Sequence, residues 1–85
     1  MRIQSSPREF NNKIAVEIIS ENEGHCIISL TNQKGLVRMM MGVNVYEGSN
    51  KIVVDKIDYL EEGAYQLEVK NIDSTLLYNS VLIKH

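Results

Sequence analysis

The 85-residue chain predicts an all-β fold, an antiparallel sandwich of about six or seven strands. Apolar and polar residues alternate over most of its short segments, and no segment has apolar residues at helical spacing over a useful length. Turns rich in glycine, asparagine and acidic residues separate these segments at short intervals. A chain of this length buries one core, so we expect a single domain over residues 1–85.

The segment 59–69 carries the pattern that is most specific to one kind of sandwich. Glu61, Glu62 and Gly63 interrupt the preceding chain and predict a corner before the next strand. From Tyr65 to Val69 apolar residues alternate with polar ones. In immunoglobulin-like sandwiches, a tyrosine just after such a corner buries its ring and hydrogen-bonds through its hydroxyl to backbone upstream. We therefore predict an immunoglobulin-like antiparallel β-sandwich, with the ring of Tyr65 in its core.

The first part of the chain predicts a lead-in followed by two strands. Residues 1–12 are mainly polar, and we expect a lead-in or linker that becomes ordered only where Phe10 docks on the core. Residues 13–20 and 25–30 alternate as half-buried strands do, and the short turn between them predicts an antiparallel pair. Their predicted inward faces are Ile14, Val16 and Ile18 in the first strand and Cys26, Ile28 and Leu30 in the second.

The middle and the end of the chain predict the remaining strands. Residues 36–41 follow a tight turn and are expected to pair with the preceding strand. Gly42 then predicts a bulge, or a bend where the chain crosses between sheets. Residues 51–55 are rich in β-branched side chains and form the next strand, while residues 76–85 form the last. We expect Ile52 and Val54 to point inward, and we place Leu77, Val81 and Ile83 on one face of the last strand.

Composition argues against several classes of partner. The formal net charge is −2, and the basic residues are scattered, so we expect no nucleic acid partner. No apolar run is long enough for a signal peptide or a membrane span, so we expect no membrane insertion. Because an excised domain of an exported protein would also lack a signal peptide, we interpret the chain as such a domain.

The titratable residues predict neither catalysis nor a cofactor. Cys26 is the one cysteine and is expected to be a buried thiol, while its neighbour His25 must point to the opposite face of the strand and cannot act as its base. The acidic residues before the corner match no metal-binding loop, and we interpret them as a solvated edge. These residues are Asp55, Asp58, Glu61 and Glu62.

The run Met39, Met40 and Met41 leaves two interpretations open. In a strand, alternation places at least one of these side chains outward. The favoured interpretation is core filling with one exposed methionine, and the alternative is an adaptable patch that binds a partner or a second copy. The exposed edges of so small a sandwich can also pair between two copies, which would give a homodimer.

Several short motifs follow one another along residues 6–85 in an order that resembles a known family. That family is the carboxy-terminal sorting domain of cargo proteins of the type IX secretion system of Bacteroidetes. The matching pieces are Ser6-Pro7 with the strand that begins near Lys13, the turn from Leu30 to Val37, the Gly48-Ser49-Asn50 turn before Asp55, the corner from Leu60 to Leu67, and the final strand Val81-Leu82-Ile83-Lys84.

The resemblance implies a non-enzymatic domain that an outer-membrane secretion-machinery protein recognises. The attached cargo would pass through the periplasm to the outside of the cell or the cell surface. It assigns a recognition role to Lys84, Ile83, Gly63 and Tyr65, although the last two are explained more simply as architecture. We expect Lys84 to lie at an exposed chain end.

One departure from the family pattern leaves a second resemblance open. The lead-in has the single proline of Ser6-Pro7-Arg8, where the family has two prolines around an asparagine. The chain is also similar to small stand-alone immunoglobulin-like proteins of the same bacteria. That resemblance implies a secreted binding or adhesion module.

Overall fold

The computed structural model describes residues 1–85 and contains two β-sheets. It has no helix of the length and apolarity needed to cross a membrane. The strands are β1 (Arg2–Ser6), β2 (Glu9–Phe10), β3 (Ile14–Ser20), β4 (Gly24–Thr31), β5 (Val37–Val45), β6 (Gly48–Val54), β7 (Gly63–Asn71) and β8 (Leu76–Lys84).

The two sheets pack face to face as an immunoglobulin-like sandwich, which confirms the predicted fold class. One sheet has three strands in the order β1-β3-β6, and the other has five in the order β2-β8-β7-β4-β5. All neighbours are antiparallel except β2 and β8, which are parallel. The strand count exceeds the prediction because the lead-in contributes one strand to each sheet.

The core follows the alternation of the sequence. Every side chain that was placed inward on β3, β4 and β7 is buried, Phe10 docks on the core as expected, and Val54 is buried beside the half-buried Ile52. Successive side chains of a strand point to opposite faces, so a period of two in the sequence becomes a continuous apolar layer. The largest fully buried side chains include Ile14, Ile18, Ile28, Leu30, Ile57, Leu67 and Leu82.

The N-terminal segment differs from the prediction, because residues 2–6 form a regular strand. The strand β1 pairs with β3 from Arg2 opposite Ile19 to Ser6 opposite Ala15. Its Ile3 side chain is half-buried against the core. The polar composition of this segment misled the interpretation, since ladder hydrogen bonds use backbone groups that every residue except proline possesses.

The predicted pairing of β3 with β4 is wrong. These strands belong to different sheets, so the turn between them carries the chain from one layer to the other. Ser20 stabilises this crossing by donating its hydroxyl hydrogen to the carbonyl oxygen of Asn22 at 2.7 Å. A short polar turn is equally compatible with a hairpin and with a crossing between layers. The predicted pairing of β4 with β5 is confirmed.

The interpretation of Gly42 as a bulge or a crossing point is also wrong. Gly42 lies inside the continuous strand β5, opposite Ile27. The irregularity occurs nearer the start of that strand, where Arg38 is the extra residue between two paired positions. The chain crosses to the other sheet only after β5, where Gly48 adopts a φ of 100° at the start of β6.

Candidate functional site

Tyr65 joins the corner to the core at the start of β7. Its side chain is buried, and its hydroxyl donates a hydrogen bond of 2.8 Å to the carbonyl oxygen of Glu61. The ring meets Phe10 edge to face, with centroids 6.3 Å apart. Gly63 makes the turn into the strand with a φ of 135°, a conformation that favours glycine. The predicted placement of the Tyr65 ring and hydroxyl is confirmed.

The environment keeps Tyr65 in its neutral form. Burial raises the pKa of the Tyr65 phenol, and the nearby negative charge of Glu61 raises it further. The hydroxyl therefore remains a hydrogen-bond donor at neutral pH. Through its buried ring and its hydrogen bond to Glu61, Tyr65 attaches the corner to the core of the sandwich.

The end of β8 lies between two other strands. On one side Gly63 is opposite Lys84 and Ala64 is opposite Ile83 in the ladder with β7. On the other side the short strand β2 runs parallel to it, and the amide of Ile83 donates to the carbonyl oxygen of Arg8 at 2.7 Å. The backbone of this segment is therefore held on both sides.

The four residues assigned a recognition role by the resemblance lie together in this region. We call the group Gly63, Tyr65, Ile83 and Lys84 the corner end. Two of its members come from the start of β7 and two from the end of β8, and they meet because the strands are antiparallel neighbours. The clustering could not be derived from the sequence without knowing that these two strands pair.

The expected exposure of Lys84 is wrong. This side chain is only 7% exposed, and its Nζ donates a hydrogen bond of 2.6 Å to the main-chain oxygen of His85. Lys84 shares the inward face of β8 with the fully buried Leu82. The signal was present in the sequence, because residues two apart in a strand share a face. Ile83 instead points outward and is 37% exposed.

The outward side of β8 gives the corner end an apolar surface. Leu77, Val81 and Ile83 share one face of the strand, as predicted, and that face is exposed to solvent. A shallow depression of about 330 Å³ begins at Val81 and extends over Gln66 and Thr31. Its lining is uncharged and mixes polar with apolar groups. Such a surface suits contact with a protein segment.

A second depression on the other side of the corner is charged. It has a volume of about 190 Å³, and its lining includes Lys34 and Arg38 as well as Glu61 and Glu62. Both acidic residues are exposed to solvent. Charges of both signs at one rim favour a polar partner surface of mixed charge over a simple polyanion or polycation.

The methionine run lies at the opposite edge of the same sheet. Met39 and Met41 point inward and pack, half-buried, against the core, whereas Met40 points outward and is 63% exposed. The prediction that at least one methionine faces outward is confirmed. The strands β7 and β4 separate β5 from β8, so the run is not part of the corner end.

The remaining titratable residues are dispersed. Cys26 is buried as predicted, burial raises the pKa of its thiol, and the adjacent His25 is exposed on the other face. No three histidine, cysteine, aspartate or glutamate side chains are grouped so that they could hold a metal ion. His85 pairs with Glu9 at 2.5 Å between exposed side chains, which links the chain end to β2.

A comparison with protein-family models finds no match for the chain, and a comparison with curated proteins finds none either.

Proposed function

We propose that this chain is a non-enzymatic secretion-sorting domain that the type IX secretion machinery recognises. In this role it would direct an attached cargo to the outer membrane or the cell surface. The proposal is supported by the ordered motifs of the sequence and by the immunoglobulin-like sandwich in which they lie. The observation that carries it is the corner end, where Gly63, Tyr65, Ile83 and Lys84 are neighbours across two paired strands.

The corner end would act as a rigid shape. Tyr65 and Gly63 hold the corner in place. The side chain of Lys84 is buried, which anchors the end of β8 to the core. Ile83 is then the member whose side chain is presented to a partner, together with Val81 on the same face. Because both flanking strands hold this backbone, a partner would find it already ordered and little conformational entropy would be lost on binding.

A reporter fusion tests the proposal. The chain is placed behind a reporter with a signal peptide, in a bacterium that has a type IX secretion system, and the reporter at the cell surface is measured. We expect the native chain to deliver the reporter and Ile83→Thr to reduce delivery by about tenfold, the factor expected from losing about 1.4 kcal/mol of binding energy. Both residue types favour strands, so the fold should persist.

Val53→Thr is the matched control, because Val53 is also an exposed strand residue but lies on β6 in the other sheet, away from the corner end. It should leave delivery close to the native level if Ile83 is the recognised side chain. Periplasmic retention of the native fusion, while a known sorting domain delivers the same reporter, would rule out the sorting role. Equal delivery by both variants would remove Ile83 from the recognised surface.

The exposed edge formed by β5 favours a second candidate, a secreted immunoglobulin-like binding or adhesion module. This edge presents Met40 and Val37, which are more than half exposed, to a partner. The coding sequence upstream of Met1 distinguishes the two functions. A long upstream cargo region supports sorting, whereas a signal peptide alone supports the stand-alone module.

A further inference from the structure

The strand β5 is the least protected edge of the sandwich. It has β4 as its one neighbour in the five-stranded sheet, so the backbone groups along its other side have no partner strand. It spans nine residues, whereas the other edge strands β6, β1 and β2 span seven, five and two. A long edge with unpaired backbone groups can pair with another strand.

Apart from the irregularity at Arg38, β5 lacks the features that usually prevent such pairing. Proteins commonly protect an edge with lysine, proline or an acidic residue, and β6 carries Lys51 near its centre. The sequence of β5 has none of these, and its one charged residue, Arg38, lies at the irregular start of the strand. The inward face of the remaining strand is apolar, and its outward face carries Met40, Gly42 and the uncharged Asn44.

The inward side chains of β5 are incompletely covered. Met39, Met41 and Val43 face the core, yet each is only half-buried. The opposing sheet has three strands against five, so it is the narrower of the two layers. A further strand placed beside β5 would cover these side chains and would continue the apolar layer.

Gly42 provides an independent indication of which strand could pair with β5. Its φ is not in the left-handed region, and a Cβ atom built on it would meet nothing within 4 Å. Neither the backbone of the monomer nor a neighbouring group therefore requires glycine, although glycine is unfavourable inside a strand. The open space lies on the outward face of the strand, the same face as Met40.

We propose that β5 pairs with β5 of a second copy of this chain, antiparallel and centred on Met41, to form a symmetric dimer with a continuous ten-stranded sheet. In this register Met40 of each copy lies opposite Gly42 of the other, and the missing side chain accommodates the methionine. Arg38 lies opposite Asn44, so no like charges meet. A two-fold axis makes every contact occur twice, which suits a self-complementary strand.

The first test measures association of the purified chain by sedimentation equilibrium, over a concentration series that reaches about 1 mM, the range of weak complexes. We expect reversible dimerisation. Gly42→Lys fills the space required by Met40 and brings two lysines near the axis, so it should raise the dissociation constant by at least about tenfold. Val81→Lys adds the same charge on β8, on the same sheet, and should leave the constant unchanged.

The second test determines the register. Residues directly opposite each other in antiparallel strands have Cα atoms about 4.5–5.5 Å apart, which permits a disulfide. With oxidised glutathione as oxidant, Met41→Cys should yield a covalent dimer. Val53→Cys, on the edge strand β6, should not, and the native chain should not because Cys26 is buried.

Two results would overturn the inference. One is a chain that remains monomeric throughout the concentration series. The other is a dimer that Gly42→Lys does not weaken and that Met41→Cys does not cross-link faster than Val53→Cys. Both experiments use the purified chain, so their outcomes are independent of the proposed sorting role.

Discussion

Tyr65 shows how one side chain connects a turn to a core. Its ring contributes buried apolar area and an edge-to-face contact with Phe10. Its hydroxyl donates a hydrogen bond to the carbonyl oxygen of Glu61, four residues earlier. A buried hydroxyl without a hydrogen-bond partner would be costly. The two groups satisfy each other, which ties the position of the corner to the position of the ring.

At this scale we predict the effect of Tyr65→Phe. The change keeps the ring but removes the donor to Glu61, so the free energy of unfolding should fall by about 1–2 kcal/mol. The measurement is urea denaturation followed by circular dichroism. Tyr59→Phe is the control, since its exposed hydroxyl makes only a 3.3 Å contact with the carbonyl oxygen of Arg38. Equal losses for the two variants would contradict the structural role of the Tyr65 hydroxyl.

A second residue-scale prediction concerns Gly63. Its φ of 135° is rarely adopted by residues with a Cβ atom, so Gly63→Ala should lower the free energy of unfolding by about 1–3 kcal/mol. Gly24→Ala is the matched control, because that glycine has no positive φ and has open space around it. Thermal unfolding of both variants gives the comparison. A Gly63→Ala protein as stable as the native chain would show that this corner relaxes without strain.

At the scale of elements, hydrogen bonds across three strands organise the outer face of the smaller sheet. Glu17 on β3 accepts a hydrogen bond of 2.8 Å from Nε2 of Gln4 on β1 and another of 2.9 Å from the hydroxyl of Ser49 near the start of β6. These bonds lower the pKa of the Glu17 carboxyl, with Gln4 as the main cause. The carboxylate therefore connects both edge strands to the central one.

The corresponding prediction is that Gln4→Ala raises the pKa of Glu17 towards its ordinary value, as measured by NMR titration of the side-chain carboxyl. Arg2→Ala should change it less, because Arg2 acts only through its charge and is the smallest of the causes that lower this pKa. A depressed pKa contributes stability above the unfolded-state pKa and loses it as the pH falls through the folded-state value. Gln4→Ala should therefore also reduce the loss of stability on acidification. An unchanged Glu17 pKa in Gln4→Ala would refute this assignment.

At the scale of the whole molecule, the N-terminal segment contributes to both sheets. The strand β1 extends the smaller sheet, and a few residues later β2 borders β8 in the larger one, with Phe10 buried between the layers. Tyr78 on β8 also shares a hydrogen bond of 2.8 Å with Ser5 on β1. The segment thus joins the two layers of the sandwich.

We predict that Phe10→Ala removes a large part of the stability of the fold. Truncating a buried phenylalanine costs about 3–5 kcal/mol, against a total stability of about 4–13 kcal/mol for a domain of this size. Tyr46→Ala, which truncates an exposed aromatic residue, should cost less than about 0.5 kcal/mol. The unfolding transition of each variant, measured by calorimetry, tests this prediction. A cooperative transition of Phe10→Ala within a few degrees of the native one would show that the segment is dispensable.

The candidate site was predictable only in part. The burial of Tyr65 and the need for Gly63 were both apparent from local pattern, because a corner followed by an alternating strand has few structural solutions. The inward position of Lys84 was also encoded, because it lies two residues after Leu82 on the same face of the strand, but its charge favoured the opposite prediction. That Ile83 lies opposite Ala64 could not be predicted from the local sequence, since it depends on how β7 aligns with β8.

The sequence by itself determined the all-β class, the apolar face of most strands and the corner that Tyr65 anchors. These properties follow from the two-residue period of a strand and from the conformational preferences of turn residues, both of which act over a few positions. Only the tertiary structure decided that β1 joins β3, that β3 and β4 belong to different layers, and that β5 is left at an edge. The physical reason is that strands pair through backbone groups that are nearly the same in every residue, so the choice of partner is made by how the whole chain packs.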